Sequence, residues 1–118
     1  MHLFVYGSLV EPRRLDEVLG FHFLGERLRA RLAGYERVMN ERFGYPFLMA
    51  RAEHVVDGIL IMDLTPHDMD VLDRYEDVDT GMYSRVEVEV EAWGCGPSPT
   101  FVQANTYVAG PRLQSTLN

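Results

Sequence analysis

The sequence is poor in cysteine and in positive charge, and it has no long apolar run. Its single cysteine, Cys95, cannot form a disulfide within one chain, so the disulfide framework of many small secreted proteins is excluded. No stretch approaches the roughly 20 apolar residues of a membrane-spanning helix. The N-terminus has no basic segment followed by an apolar one, as a signal peptide would. These absences favour a soluble protein, and we expect it in the cytoplasm.

The charge balance argues against polyanionic partners. The chain has 11 Lys and Arg against 18 Asp and Glu, a net charge of −7. A surface of that sign repels nucleic acid and anionic membranes. We therefore expect a small-molecule partner, whereas the oligomeric state cannot be read from the sequence. The 118 residues, without repeat or linker, fit one domain covering 1–118.

Metal-binding patterns are weak. The four histidines show no zinc-type spacing. The acidic run 77–81 hints at a calcium loop but lacks the further ligand positions of an EF-hand, so a solvated turn is favoured. Cys95 lies between two glycines, and we expect an exposed turn thiol there.

The first half of the chain predicts a strand, a helix and more strands. His2 to Tyr6 is a short apolar strand. A helix follows, with Pro12 near its start and Gly20 as its stop. Residues 21–39 are predicted to be extended, with turns or bulges at two glycines.

The middle of the chain contains a second helix signal. Tyr45-Pro46 predicts a loop, and His54 to Leu64 a second strong strand. Thr65 can cap a helix that Pro66 opens, and the helix is expected to end near Tyr75 or Glu76.

The last third predicts a hairpin. Residues 84–92 alternate, with three valines (86, 88 and 90) on one face and three glutamates (87, 89 and 91) on the other, which is typical of a half-solvated antiparallel strand. A turn at 94–97 leads to a partner strand over 100–108, and the tail after Gly110 is predicted to be loose. The element order indicates an α+β fold with a strongly curved or barrel-like mixed sheet and two short helices.

Glu76 is the residue whose position most suggests chemistry. On a helix from Pro66 it shares a face with Met69 and Leu72, so its carboxyl would be partly desolvated. It would also lie at the helix C-terminus, where the dipole disfavours negative charge. The alternative is a solvated turn residue, and periodicity alone favours that alternative because most glutamates are exposed.

A second candidate is the segment after the first strand. Tyr6-Gly7-Ser8-Leu9 could expose backbone N–H groups that bind a carboxylate, or could be an ordinary turn. Polar-tipped residues at strand ends are weaker candidates, since such tyrosines are usually core residues and such arginines surface charges. They are Tyr83, Arg85 and Tyr107.

Taken together, these motifs resemble the gamma-glutamylcyclotransferase-like superfamily, and most of all its gamma-glutamylamine cyclotransferase branch. The set follows family order along most of the chain. The motifs are Phe4-Val5-Tyr6-Gly7-Ser8-Leu9, Tyr45-Pro46, Val56 to Ile61, Leu72-Asp73-Arg74-Tyr75-Glu76 and Tyr83-Ser84-Arg85. Two positions depart from the pattern: Ser8 stands where Thr is also common, and Asp77 where Gly is frequent.

The resemblance implies a small mixed β-barrel with short peripheral helices. It implies an enzyme in which the substrate's alpha-amine attacks its own gamma-carbonyl, releasing 5-oxoproline and an amine, with no metal or cofactor. Glu76 would be the general acid/base. The substrate-binding residues it implies are Tyr6, Gly7, Ser8, Leu9, Tyr45, Pro46, Tyr83 and Tyr107.

Two other functions are compatible with the same residues. The chain could be a non-catalytic module that binds a small carboxylate. It could also be an amide hydrolase that uses the same pocket.

Overall fold

The computed structural model describes residues 1–42, 44–94, 96–97 and 99–116. Cys95, with its predicted exposed thiol, lies outside the described residues. The elements in chain order are β1 Leu3–Val5, α1 Pro12–Leu19, β2 Arg27–Asn40, β3 Tyr45–Ile61, α2 Pro66–Tyr75, β4 Tyr83–Ala92, β5 Thr100–Ala109 and α3 Pro111–Thr116. A single 3-10 turn, Ser8–Val10, links β1 to α1.

The strands form a closed barrel in the order β1-β3-β2-β4-β5. Strand β1 closes it, pairing antiparallel with β3, where Phe4 lies opposite Leu60, and parallel with β5, where Leu3 lies opposite Asn105. The other neighbouring strands pair antiparallel. The predicted α+β fold with a mixed barrel is therefore confirmed.

Strands β2 and β3 form a long hairpin that the sequence predicted only in part. A register shift between Ala33 and Tyr35 brackets Gly34, whose φ of +85° confirms the predicted bulge. Residues 21–26, predicted to be extended, precede the strand and lie outside it.

The loop predicted at Tyr45-Pro46 is wrong. These residues begin β3 and pair with Asn40 and Met39 of β2. Proline is tolerated in the first residues of a strand, where its missing N–H interrupts few ladder bonds. A Tyr-Pro signal therefore cannot distinguish a strand start from a loop.

The core consists of two apolar clusters on either side of β1. Leu3 and Val5 belong to the cluster beneath α1 and α2, whereas Phe4 belongs to the cluster inside the barrel. Successive side chains of a strand point to opposite faces, which explains why this short strand contributes to both.

Helix α2 is formed as predicted. The Thr65 hydroxyl accepts from the Asp68 N–H, and the Asp68 carboxylate accepts from the Thr65 N–H, which makes a capping box. The helix ends at Tyr75, and Glu76 is its C-cap. None of the helices in the described ranges is long and apolar enough to cross a bilayer.

The tail after Gly110, predicted to be loose, is instead helix α3. Pro111 suits the first helical position, and the Arg112 N–H donates to the Gly81 carbonyl at 2.8 Å. Leu113 is fully buried in the cluster beneath the helices. One apolar side chain that reaches the core explains the difference, because a six-residue helix is too short to be stable alone.

Replacing Leu113 by alanine should therefore lower the free energy of unfolding by about 2 to 5 kcal/mol, the usual cost of truncating a buried leucine. The matched control is Arg112→Ala on the exposed side of the same helix, expected to change stability by less than about 0.5 kcal/mol. Urea denaturation of both variants tests the docking of α3. If both variants changed the free energy of unfolding by equally small amounts, the prediction of a loose tail would stand and the docking of α3 would be contradicted.

Candidate active site

A pocket of about 350 Å³ opens where the end of β1 meets the C-terminus of α2 and the starts of β3 and β4. All nine residues for which the sequence predicted catalytic or binding roles line it. They are Tyr6, Gly7, Ser8, Leu9, Tyr45, Pro46, Glu76, Tyr83 and Tyr107. The fold thus brings together residues that are up to 101 positions apart, since the Tyr6 hydroxyl bonds to Tyr107.

Glu76 is a half-buried carboxyl in the pocket wall. Met69 and Leu72, which precede it on α2, are buried at 1% and 0% exposure, so the helix turns this face toward the core. Burial, followed by the nearby charge of Asp77, raises the pKa of Glu76 to about 7. Its carboxyl is therefore divided between its acid and base forms near neutral pH.

Asp77, at the position where the resembled family often has glycine, also lines the pocket. Its φ is +54°, in the left-handed region that glycine adopts freely and that aspartate tolerates better than most residues. The chain therefore keeps a glycine-like turn after Glu76 while adding a second carboxylate beside it.

The segment Tyr6–Leu9, which follows β1, forms another part of the pocket wall. The Tyr6 carbonyl accepts from Arg37 Nε at 3.0 Å, and the Gly7 carbonyl accepts from the Val10 N–H at 3.1 Å. Among the described residues, no hydrogen bond uses the N–H of Gly7, Ser8 or Leu9 as its donor. These three N–H groups therefore have no hydrogen-bond acceptor within the described part of the protein.

A side chain at Gly7 would crowd this turn. A Cβ atom there would lie 3.1 Å from Pro46 Cγ, inside ordinary contact distance. The strand-one loop and the Tyr-Pro motif thus lie against each other, although Gly7 and Pro46 are 39 positions apart in the sequence.

Three tyrosine hydroxyls fix the pocket walls. Tyr6 donates to the Tyr107 carbonyl at 2.5 Å, Tyr83 to the Pro46 carbonyl at 2.6 Å, and Tyr107 to Asp73 Oδ1 at 2.7 Å. Burial raises the pKa of each phenol above its usual range, so all three stay neutral.

Sequence reasoning missed several lining residues. Tyr75 and Arg14 are the main polar ones: the Tyr75 hydroxyl lies 2.9 Å from Ser8 Oγ and accepts from Arg14 Nη1 at 3.3 Å. Tyr75 stood within the Leu-Asp-Arg-Tyr-Glu motif and could have been found there. Arg14 carried no signal, because a charged residue on an amphipathic helix is normally a surface residue.

Arg85, the weak candidate of β4, does not line the pocket; its Nε lies 3.6 Å from Asp73 Oδ1. In the part of the chain that the structure describes, no three His, Cys, Asp or Glu side chains are grouped so that they could hold a metal ion.

Comparison with known proteins identifies relatives across the whole barrel. A family model described as gamma-glutamyl cyclotransferase, AIG2-like, matches residues 3–117. A Methanocaldococcus jannaschii protein named gamma-glutamylcyclotransferase and putative RNase is 31% identical over 78 residues, 66% of this chain and 34% of the relative. AIG2-like protein C of Arabidopsis thaliana is 33% identical over 88 residues, 75% of this chain and 48% of the relative. The matched segments thus span about a third and about half of these curated relatives.

Solved structures share the fold. An Arabidopsis thaliana protein solved in solution superposes with a TM-score of 0.76 at 25% identity, covering 95% of this chain and 72% of its own. An AIG2-like protein from Mus musculus gives 0.68 at 25% identity, covering 96% and 81%. A structure named gamma-glutamyl cyclotransferase gives 0.75 at 17% identity, covering 92% and 66%, which supports the fold alone.

The raised pKa of Glu76 predicts that the group destabilises the folded protein at neutral pH. Well below pH 4.5 the carboxyl is protonated in both the folded and the unfolded state. Between pH 4.5 and about 7 the unfolded chain loses the proton first, so stability falls as pH rises, and above pH 7 the full cost remains. Glu76→Gln should therefore be more stable than the wild type above pH 7, by up to about 3 kcal/mol, with no difference at pH 4.

Denaturation curves at both pH values check this, with Glu87→Gln, an exposed glutamate of β4, as the control. A Glu76→Gln protein that is no more stable than wild type at pH 8 would contradict a desolvated carboxyl.

Proposed function

The chain belongs to the gamma-glutamyl cyclotransferase, AIG2-like family, and we propose that it converts gamma-glutamyl amines or isopeptides into 5-oxoproline and a free amine. The observation that carries the proposal is the Glu76 carboxyl, which lies in the pocket wall and has a pKa of about 7. The loop after β1, whose three N–H groups have no acceptor in the described protein, lines the same pocket. A general acid/base is most effective when its pKa is close to the working pH.

The reaction needs one proton carrier and no added nucleophile. The neutral alpha-amine of the substrate attacks its own gamma-carbonyl carbon, and the Glu76 carboxylate takes a proton from the attacking nitrogen. The C–N bond to the leaving amine then breaks as Glu76 returns that proton to the leaving nitrogen. Glu76 ends as a carboxylate, no water is consumed, and no metal or cofactor is required.

The attack is intramolecular, so much of the activation barrier is the cost of bringing the substrate into the reactive conformation. An extended gamma-glutamyl chain must curl until its amine approaches its gamma-carbonyl carbon, and a site that holds the curled form lowers the entropic cost of reaction. The walls formed by Tyr83, Tyr107 and Pro46 suit this role, because the tyrosine hydroxyls are already bonded to fixed partners.

The loop after β1 suits the substrate's alpha-carboxylate. The N–H groups of Gly7, Ser8 and Leu9 offer donors to an anion. Tyr6 and Tyr45 also line the pocket. Holding the carboxylate at this loop leaves the alpha-amine and the gamma-carbonyl to meet Glu76 across the pocket.

Glu76→Gln should lower kcat by about 100-fold or more while the fold persists, because glutamine keeps the shape of glutamate but cannot carry a proton. In the wild type, kcat/KM should rise with pH through about 7, as the carboxylate form needed for attack accumulates. Release of 5-oxoproline from a panel of gamma-glutamyl amines measures both, with Glu87→Gln as the matched control.

A Glu76→Gln protein with near-wild-type turnover would remove Glu76 from the mechanism. Binding of gamma-glutamyl compounds without any turnover by the wild type would instead favour a carboxylate-binding module.

N-acetylation of the substrate should stop turnover at saturating concentration, because an acetylated nitrogen is a poor nucleophile. A chelator present throughout should leave turnover of the free substrate unchanged. The products distinguish the alternatives, since cyclisation yields 5-oxoproline and hydrolysis yields glutamate. Rapid conversion of the acetylated compound to N-acetylglutamate would establish a hydrolase, and loss of activity in chelator would reveal a metal requirement.

A further inference from the structure

The pocket contains one cation among its described lining residues. Arg14, on α1, lines it together with two acidic residues, Glu76 and Asp77. A substrate carboxylate that enters is repelled by the two acids and attracted by the guanidinium. The charges of the lining therefore favour one placement of an anionic group, beside Arg14.

Hydrogen bonds hold Arg14 near the loop that follows β1. Its Nη1 donates to the Tyr75 hydroxyl at 3.3 Å, and that hydroxyl oxygen lies 2.9 Å from Ser8 Oγ. The salt bridge to Glu17 uses a different atom of the guanidinium, Nε, at 3.7 Å. Tyr75 thus links the guanidinium to the loop whose N–H groups are available to an anion.

We propose that Arg14 is a substrate-binding residue that pairs with the alpha-carboxylate of the ligand, and that the Tyr75 hydroxyl positions its guanidinium for this contact. The inference rests on the proposed function for the identity of the ligand. Arginine suits this contact because its planar fork can bind both oxygens of a carboxylate.

The location of Arg14 also permits a different role. Arg14 and Ser8 both line a second cavity of about 320 Å³, together with Glu11, Arg13 and Glu17. A leaving group that extends from the main pocket could enter this cavity, and Arg14 would then bind the leaving group. Binding of the cyclised product, which keeps the carboxylate but has lost the leaving group, distinguishes the two roles.

The test compares 5-oxoproline with 2-pyrrolidinone, the same ring without the carboxylate. NMR titration, which detects weak binding, gives the dissociation constant of each compound for the wild type and for Arg14→Gln. We expect the substitution to weaken 5-oxoproline by about tenfold, the scale of one charge-assisted hydrogen bond, and to leave 2-pyrrolidinone unchanged. Tyr75→Phe should give a smaller loss with the same selectivity.

The matched control is Arg13→Gln, which removes the same charge from the neighbouring, exposed position outside the main pocket. It should change neither constant. Equal weakening of both compounds by Arg14→Gln would assign Arg14 a structural role, and an unchanged constant for 5-oxoproline would assign it at most to the leaving group. Either result overturns the proposal.

This experiment separates the inference from the proposed reaction, because it requires no turnover. If no gamma-glutamyl compound yields 5-oxoproline, the cyclotransferase proposal fails, whereas a carboxylate-selective effect of Arg14→Gln still supports the anion contact. If turnover occurs but Arg14→Gln raises KM no more than Arg13→Gln does, the anion contact fails alone.

Discussion

Strand β1 has three residues, and it joins the two ends of the sheet. Its backbone pairs with β3 on one side and with β5 on the other, and its side chains are buried on both faces. Gly58 of β3 permits this close approach, since a Cβ there would lie 2.3 Å from the Val5 carbonyl oxygen. Closure of the barrel at β1 brings the loop at Tyr6 to the end of β5, where Tyr6 and Tyr107 both line the pocket.

Two tyrosine hydroxyls link elements that meet around the pocket. The hydroxyl of Tyr6 is bonded to the backbone of β5, and the hydroxyl of Tyr83 to the backbone of β3. Each bond joins elements that are distant in sequence, and each leaves the aromatic ring as a wall. Because burial keeps these phenols neutral, the tyrosine rings add no charge to the pocket while Glu76 titrates near pH 7. The two rings therefore keep their charge and their hydrogen bonds when Glu76 changes its protonation state.

Local signals predicted the elements well and long-range contacts poorly. The helix cap at Thr65 and the alternation of β4 depend on residues close in sequence, and both were predicted. The pairing of Tyr45-Pro46 with β2 and the docking of Leu113 depend on distant partners, and both were missed. For Glu76, periodicity placed the residue on the correct helix face but could not decide its burial, which depends on strands elsewhere in the chain.

The same distinction explains why Arg14 escaped notice. Arg14 on α1 and Tyr75 on α2 are 61 positions apart in the sequence, and the residue pattern of α1 gives no sign of their contact. The end of α2 that carries both Tyr75 and Glu76 is fixed by a bond from a third element, the Tyr107 hydroxyl to Asp73. A desolvated carboxylate at a helix C-terminus is unfavourable by itself. The capping box stabilises the first turn of the helix, and the bond from Tyr107 holds its last turn against β5. Together they allow the fold to keep the Glu76 carboxyl in the pocket that Arg14 also lines.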